Sequence, residues 1–242
     1  MDRTKICGSA ATIRMLTLSI ALAAAWSSLP AAASPLSASE IAGRCVAAYS
    51  ALNSYRCSVV VRVRALDPKH AGHVFRDHTT AEIAYRHPNR LRADATESDG
   101  SHDVLLCDGS RTDVFFNGGW QRFSRAAYGV AELTGVDETA VSIVPSLLLR
   151  LSGGSLFPAN VRLDQRISAA LIDGRPCYEL RTAGAGHVIY WIDTRTSMLD
   201  RVQEAIPEPA NKSVVVFFTQ TITNQQLNPK INPAVFTKSG GK

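Results

Sequence analysis

Most of the chain alternates between apolar and polar positions, with a period of two. Between Ala81 and Ala95, Ile83 and Tyr85 share one face while Glu82, Ala84 and Arg86 share the other; after His87-Pro88-Asn89, Leu91 and Ala93 oppose Arg90, Arg92 and Asp94. This pattern predicts two strands around a proline corner, because Pro88 donates no ladder bond and pushes His87 toward extended backbone. The same reading predicts strands over Tyr55–Leu66, Thr79–Arg86, Asn89–Ala95, His102–Cys107, Arg111–Phe116, Trp120–Phe123, Val161–Ile172, Cys177–Thr182, His187–Asp193, Leu199–Ala205 and Ser213–Asn224. Turn signals separate them, including Asp108-Gly109 and Asp173-Gly174.

Two stretches follow the helical period instead. Ser37-Ala-Ser-Glu40 is a capping box that opens a helix to about Asn53, with Ile41, Cys45, Ala48, Tyr49 and Leu52 on one stripe. Between Asp137 and Leu151, Val141, Val144, Leu147, Leu148 and Leu151 recur at helical spacing, with Pro145 as a kink or break. The expected fold class is therefore α+β: a large curved antiparallel sheet of about 10–11 strands, unclosed and half-barrel-like, with helices covering its concave face.

The first 33 residues change the picture. Arg3, Lys5 and Arg14 precede an apolar run over Met15–Trp26 and a small-residue exit at Ala31-Ala32-Ala33, the pattern of a secretory signal peptide cleaved near Ala33. The run is too short to span a bilayer, which takes about twenty residues. Residues 34–242 are expected to form one exported domain, with the periplasm as its compartment. The formal charge is +5, and three basic residues and one acidic residue in the first 33 account for two of those charges. What remains is too weak a bias to argue for nucleic acid. Four of the five cysteines lie beyond the signal segment, Cys45, Cys57, Cys107 and Cys177, an even number that predicts at least one disulfide in an oxidising compartment. Their spacing contains no C-x-x-C, which argues against a zinc or redox motif.

The order of signals resembles the outer-membrane lipoprotein carrier fold, a superfamily that includes the carrier, its receptor, a periplasmic sensor restraining an anti-sigma factor, and mycobacterial lipid-binding lipoproteins. Leu52-Asn53-Ser54-Tyr55 is similar to the carrier's helix-to-strand junction, and Tyr85-Arg86-His87-Pro88-Asn89-Arg90-Leu91-Arg92 to its basic Pro-Asn corner. Asp108-Gly109-Ser110-Arg111 resembles its Asp-Gly-Lys turn, and Ala234-Val235-Phe236-Thr237 its closing Phe strand. Gly174–Leu180, Tyr190–Asp193 and Leu199–Arg201 look closer to a branch of predicted periplasmic proteins.

The resemblance implies an unclosed barrel whose concave face receives lipid or lipoprotein acyl chains under a helical lid. The matching positions are Val59, Val61, Val63, Ile83, Tyr85 and Leu91 on strands, with Leu147, Leu148 and Leu151 as lid or plug. Where the carrier has a latching arginine, this chain has His87, preceded by Arg86; histidine offers fewer donors and titrates near neutrality. The bland alternative is a closed core, the commoner fate of apolar stripes.

The chain contains no nucleophile elbow, Walker loop, dinucleotide glycine pattern or metalloprotease helix. Asp108 and Asp113 read as turn and strand residues. His70, His73 and His78 read as solvated loop residues rather than metal ligands, and Arg62, Arg64, Arg86, Arg90 and Arg92 as a basic outer face. A monomeric binding protein without cofactor or catalytic activity is the favoured reading. The other is a sensor or interaction module with a transient membrane-protein partner.

Overall fold

A computed structural model describes residues 36–66, 76–133, 143–151, 162–164, 167–183, 187–207 and 214–238. The signal segment, His70, His73 and Val141 lie outside these residues, as do parts of the expected strands Val161–Ile172 and Ser213–Asn224. Ser37–Lys242 forms one compact unit, described here by itself.

Helix α1 (Ala38–Ser50) opens as the sequence predicts: Ser37 Oγ accepts from the Glu40 amide at 3.2 Å, and the Ser37 amide donates to Glu40 Oε2 at 2.7 Å. It ends before the expected Asn53 because the next amides are claimed elsewhere. Asn53 and Ser54 both donate to Asn228 Oδ1, at 2.8 and 3.3 Å, which turns the chain into β1 (Ser54–Leu66).

The next five strands form a meander: β2 (Arg76–Arg86), β3 (Arg90–Glu97), β4 (His102–Asp108), β5 (Thr112–Phe116) and β6 (Gly119–Phe123). The corner peptide His87–Pro88 is cis. After β6 come α2 (Ala126–Leu133) and α3 (Ile143–Leu148). The second run of strands is β7 (Arg162–Leu163), β8 (Ser168–Ile172), β9 (Arg175–Ala183), β10 (His187–Asp193), β11 (Leu199–Pro207) and β12 (Val215–Leu227), closed by a 3-10 turn at Pro233–Phe236.

Among the described residues these make one twelve-stranded antiparallel sheet, in the order β6-β5-β4-β3-β2-β1-β12-β11-β10-β9-β7, with β8 also on β9. The sheet does not close, as its fold class predicts. Two local meanders are joined by the pairing of the first strand with the last, in which Val59 faces Ile222 and Val61 faces Gln220. Hairpins with Asn117-Gly118 and Asp173-Gly174 loops have positive φ at both loop positions (49° and 77°, 50° and 78°), the geometry that matches strand twist and favours Asn-Gly and Asp-Gly.

Other expectations differ from the structure as well. The predicted strand over Val161–Ile172 is two strands, because the register on β9 slips between Leu163↔Thr182 and Ser168↔Glu179: five steps on one strand oppose three on the other. Pro145 lies within α3 (Ile143–Leu148), and the residues before Ile143 are outside those described. The expected closing strand at Ala234–Thr237 is the 3-10 turn, capped by Asn232 Oδ1 on the Ala234 amide at 3.0 Å.

The expected disulfide is absent too: Cys45, Cys57, Cys107 and Cys177 are all buried free thiols. The register explains part of this. Cys57 lies beside Ile83, Ala93 and Leu105 in turn, so Cys107 on β4 is three strand spacings away, roughly 14 Å against the ~7 Å reach of a disulfide.

Candidate functional site

Direct pairing puts one set of side chains on the helix side of the sheet. Tyr55, Cys57, Val59 and Val61 of β1 stand beside Tyr85, Ile83, Ala81 and Thr79 of β2. Leu91, Ala93 and Ala95 continue the face on β3, and Cys107 and Leu105 on β4. On the other flank it passes through Ile222, Gln220, Phe218 and Val216 of β12 to Val202 and Ile206 of β11.

The helices lie on this inner face. Tyr49 of α1 meets Tyr55 edge-on, with ring centroids 5.7 Å apart. In α2, a Cβ on Gly129 would stand 2.5 Å from Thr112 Cγ2 and 3.1 Å from Leu105 Cδ1, so the helix approaches the sheet as closely as a glycine permits. Val144, Leu147 and Leu148 of α3 are buried.

The expected ligand positions form a gradient along β1. Val59, Val61, Ile83, Tyr85, Leu91, Leu147 and Leu148 are buried, whereas Val63 and Leu151 are half-buried. The inner stripe therefore begins as core near the proline corner and emerges at the far end of β1, β11 and β12. There Val63, Ala65 and Val216 are half-buried, and Ile206 is 37% exposed.

The polar residues of the corner sit at the other end. His87 and Arg86 are exposed. The His87 amide donates to Asn53 O at 2.8 Å, and its Nδ1 lies 3.5 Å from Tyr85 Oη, which itself donates to Pro88 O at 3.1 Å. Burial pushes the Tyr85 phenol up, against the pull of the Arg150 charge. Arg150 was not singled out by sequence reasoning, yet its Nη2 donates to Ser50 O at 3.0 Å, tying the turn after α3 to the last turn of α1. Its φ of 56° is the local feature that aims it, and an isolated arginine after a leucine run gives no sequence signal of that.

Beside this tie is a cleft of about 270 Å³, lined by Asn89, Cys107, Arg111, Thr112, Leu149 and Leu151 among others. A second cleft, of about 780 Å³, lies between the corner and the C-terminal turn, lined by Pro88, Arg90, Asp108, Pro233 and Phe236 among others.

The outer face behind the first meander is covered by the C-terminal segment, whose Ile231 and Phe236 pack with Ala84 and Leu106. Arg92 belongs to this packing rather than to the expected basic surface. It is 4% exposed, makes two 2.7 Å bonds to Asp94 and donates Nη1 to Thr237 O at 3.0 Å. Asp113, also buried, pairs with Arg122 at 3.2 Å and Lys238 at 3.3 Å, and the Lys238 ammonium stands 4.7 Å above the Trp120 ring. Asp108 is a turn residue: its Oδ1 accepts from the Ser110 and Arg111 amides at 2.9 and 3.1 Å.

Chemically reactive groups are quiet here. Burial pushes the Cys107 thiol up to about 11 and the Cys57 and Cys177 thiols up to about 12, so their thiolates are strongly disfavoured. No group of three His, Cys, Asp or Glu side chains among the described residues is arranged to hold a metal ion. No helix among them is long and apolar enough to cross a membrane.

No family model matches the chain, and no curated protein does. Among solved structures it is similar to the Mycobacterium tuberculosis lipoprotein LppX, at 16% identity over 79% of this chain and 96% of that one, with a TM-score of 0.44. It is similar to a LolA superfamily protein from Nitrosomonas europaea, at 13% identity over 84% and 99% of the two chains and a TM-score of 0.36. The Pseudomonas aeruginosa MucA/MucB complex aligns at 15% identity over 79% of this chain and 58% of that one, with a TM-score of 0.36.

Proposed function

We propose that this is an exported acyl-chain-binding protein, with residues 1–33 as its export signal and 34–242 as one monomeric periplasmic domain. It works by binding rather than by catalysis. The observation that carries the reading is the largely apolar stripe on the helix side of β1 and β12, interrupted by the buried Gln220. It starts fully buried at Val59 and Ile222 and emerges half-exposed at Val63 and Val216. A core that served stability alone gains nothing by bringing such a stripe to the surface. An acyl chain entering from the far end would displace little, and each buried methylene would add about 0.8 kcal/mol.

In this reading Val59, Val61, Val63, Ile83, Tyr85 and Leu91 form the floor, and Leu147, Leu148 and Leu151 the movable cover. Arg150, and at the corner His87, hold the covered state.

Gentle extraction of the protein followed by mass spectrometry of co-purified lipid tests this. Bound lipid is expected from the unaltered protein, and its loss from a Val63→Glu/Val216→Glu variant, whose positions are open enough to leave the fold intact. Lipid-free protein from repeated gentle extractions, or undiminished lipid in the double variant, would overturn the reading.

A further inference from the structure

Between Val216 and Ile222 the inner face of β12 carries one polar side chain, Gln220. Pairing fixes its place on both flanks: Val61 of β1 stands directly beside it on one side and Val202 of β11 on the other, and the row runs on through Tyr190 of β10 to Leu180 of β9. Along its own strand the neighbours on that face are Ile222 and Phe218. Gln220 is 3% exposed, and Val61, Val202, Ile222 and Phe218 around it are all buried.

Among the described residues no group donates to Gln220 Oε1, although the atom is shut off from solvent. Tyr190, two strands away in the row, has its phenol pushed well up by burial and by the Glu204 charge, and it does not reach the amide. A buried acceptor without a donor forfeits its hydration for nothing in return, so native interiors rarely keep one. An apolar side chain of similar shape would fill this place without that cost. Packing therefore does not account for the amide, and it stands directly beside Val61, in the strip of sheet assigned above to the acyl chain.

We infer that Gln220 Oε1 accepts a hydrogen bond from a hydroxyl carried along the bound chain, so that the ligand class is a hydroxylated acyl chain. The inference rests on the acyl-binding reading and narrows it. Esters and phosphodiesters offer only acceptors and would leave the amide oxygen as it is. An ammonium would lose far more hydration than one neutral oxygen restores. Apolar neighbours on both flanks and along the strand favour a donor set within an otherwise apolar chain over one at a charged head. A hydroxyl supplies one donor at modest desolvation cost and makes the O–H···O bond that a buried carbonyl oxygen accepts.

The test is displacement of a fluorescent fatty acid from the purified full chain by octadecanoic acid and by its 3-, 10- and 12-hydroxy derivatives. At least one hydroxylated acid should bind about three- to tenfold more tightly than octadecanoic acid, the gain from one hydrogen bond. Gln220→Met, close in volume and without the amide, should remove that difference and bind octadecanoic acid at least as tightly. Thr219→Val, on the outer face beside Arg62, should leave the preference unchanged. Equal binding of all four acids by the unaltered protein, or a preference that survives in Gln220→Met, would overturn the inference and leave acyl binding standing. No displacement by any of the four would overturn both. Denaturant unfolding gives a second readout: Gln220→Met should be at least as stable as the unaltered protein, and a large loss would make the amide a structural contact and overturn the inference.

Discussion

The two meanders solve one packing problem in different ways. In β1–β6 the inner face is built partly from small residues, Ala81, Ala93 and Ala95, and from Gly129 on the helix above, so α2 comes down close onto β4, β5 and β6. In β9–β12 the inner face carries larger side chains, Leu180, Tyr190, Val202 and Phe218, and the outer face has its own cluster of Ile172, Cys177 and Trp191. The first half trades side-chain volume for helix contact, while the second fills its face from the strands themselves. Small residues on a sheet mark where another layer will sit.

The sharpest way to break this comparison is to remove one fully buried leucine from each half. Leu105→Ala and Leu180→Ala should each cost about 2–5 kcal/mol, measured by denaturant unfolding. Because β1 and β12 join the halves, both variants should show one shifted transition; two separable transitions would make the halves autonomous.

Gly129→Ala tests the close approach itself and should cost about 1–3 kcal/mol, since the new methyl overlaps Thr112. Adding Thr112→Ser removes the opposing Cγ2 and keeps the hydroxyl that stands 3.4 Å from Cys107 Sγ, so thermal stability should largely return. A double variant no more stable than Gly129→Ala alone would place the cost elsewhere.

The smallest effects concern acid, where the halves have opposite signs. At Asp108 burial pushes the carboxyl up, but hydrogen bonds from Ser110 and Arg111 outweigh it and hold it well below the usual range. Its contribution is therefore complete above the unfolded value, about 3.9, and is lost as pH falls through the lower folded value. At Asp200, on β11, burial wins over the Cys177 and Arg175 contacts and the carboxyl is raised. That contribution is complete below about 3.9 and is lost as pH rises through the raised folded value. Asp108→Asn should flatten the acid-side loss of stability and Asp200→Asn should steepen it, read from denaturation midpoints across pH. Parallel curves for the two variants would remove the contrast.

What could be read in the sequence follows from how local each cause is. Strand β10 spans the predicted His187–Asp193, and α1 starts at its predicted cap, because alternation, turn residues and the capping box act within a few positions. Helix α2 has no such signal. Ala126–Leu133 carries an interior glycine, and it is helical where it docks against β4–β6. Arg92 reads as a surface cation because alternation cannot tell that the C-terminal segment, 145 residues later, lies over it. The cysteine count was misleading in the same way: parity says nothing about distance across a sheet. The inner stripe was legible residue by residue, whereas its emergence at the far end depends on β1, β11 and β12 meeting in register.

The pairing of β1 with β12 also bears on when the chain can finish folding. Each meander can assemble from neighbouring hairpins, but the strand beside Val59 and Val61 on the β12 side is not available until residues 220–222 have arrived. Nearly the whole chain must be present before the two sheets become one, a long loop closure that slows the final step. Until then β1 offers a bare valine-rich edge, the kind that invites pairing with other chains. A factor that shields this edge would therefore act at one strand from the time β1 forms, and its need should fall sharply once β12 is in place.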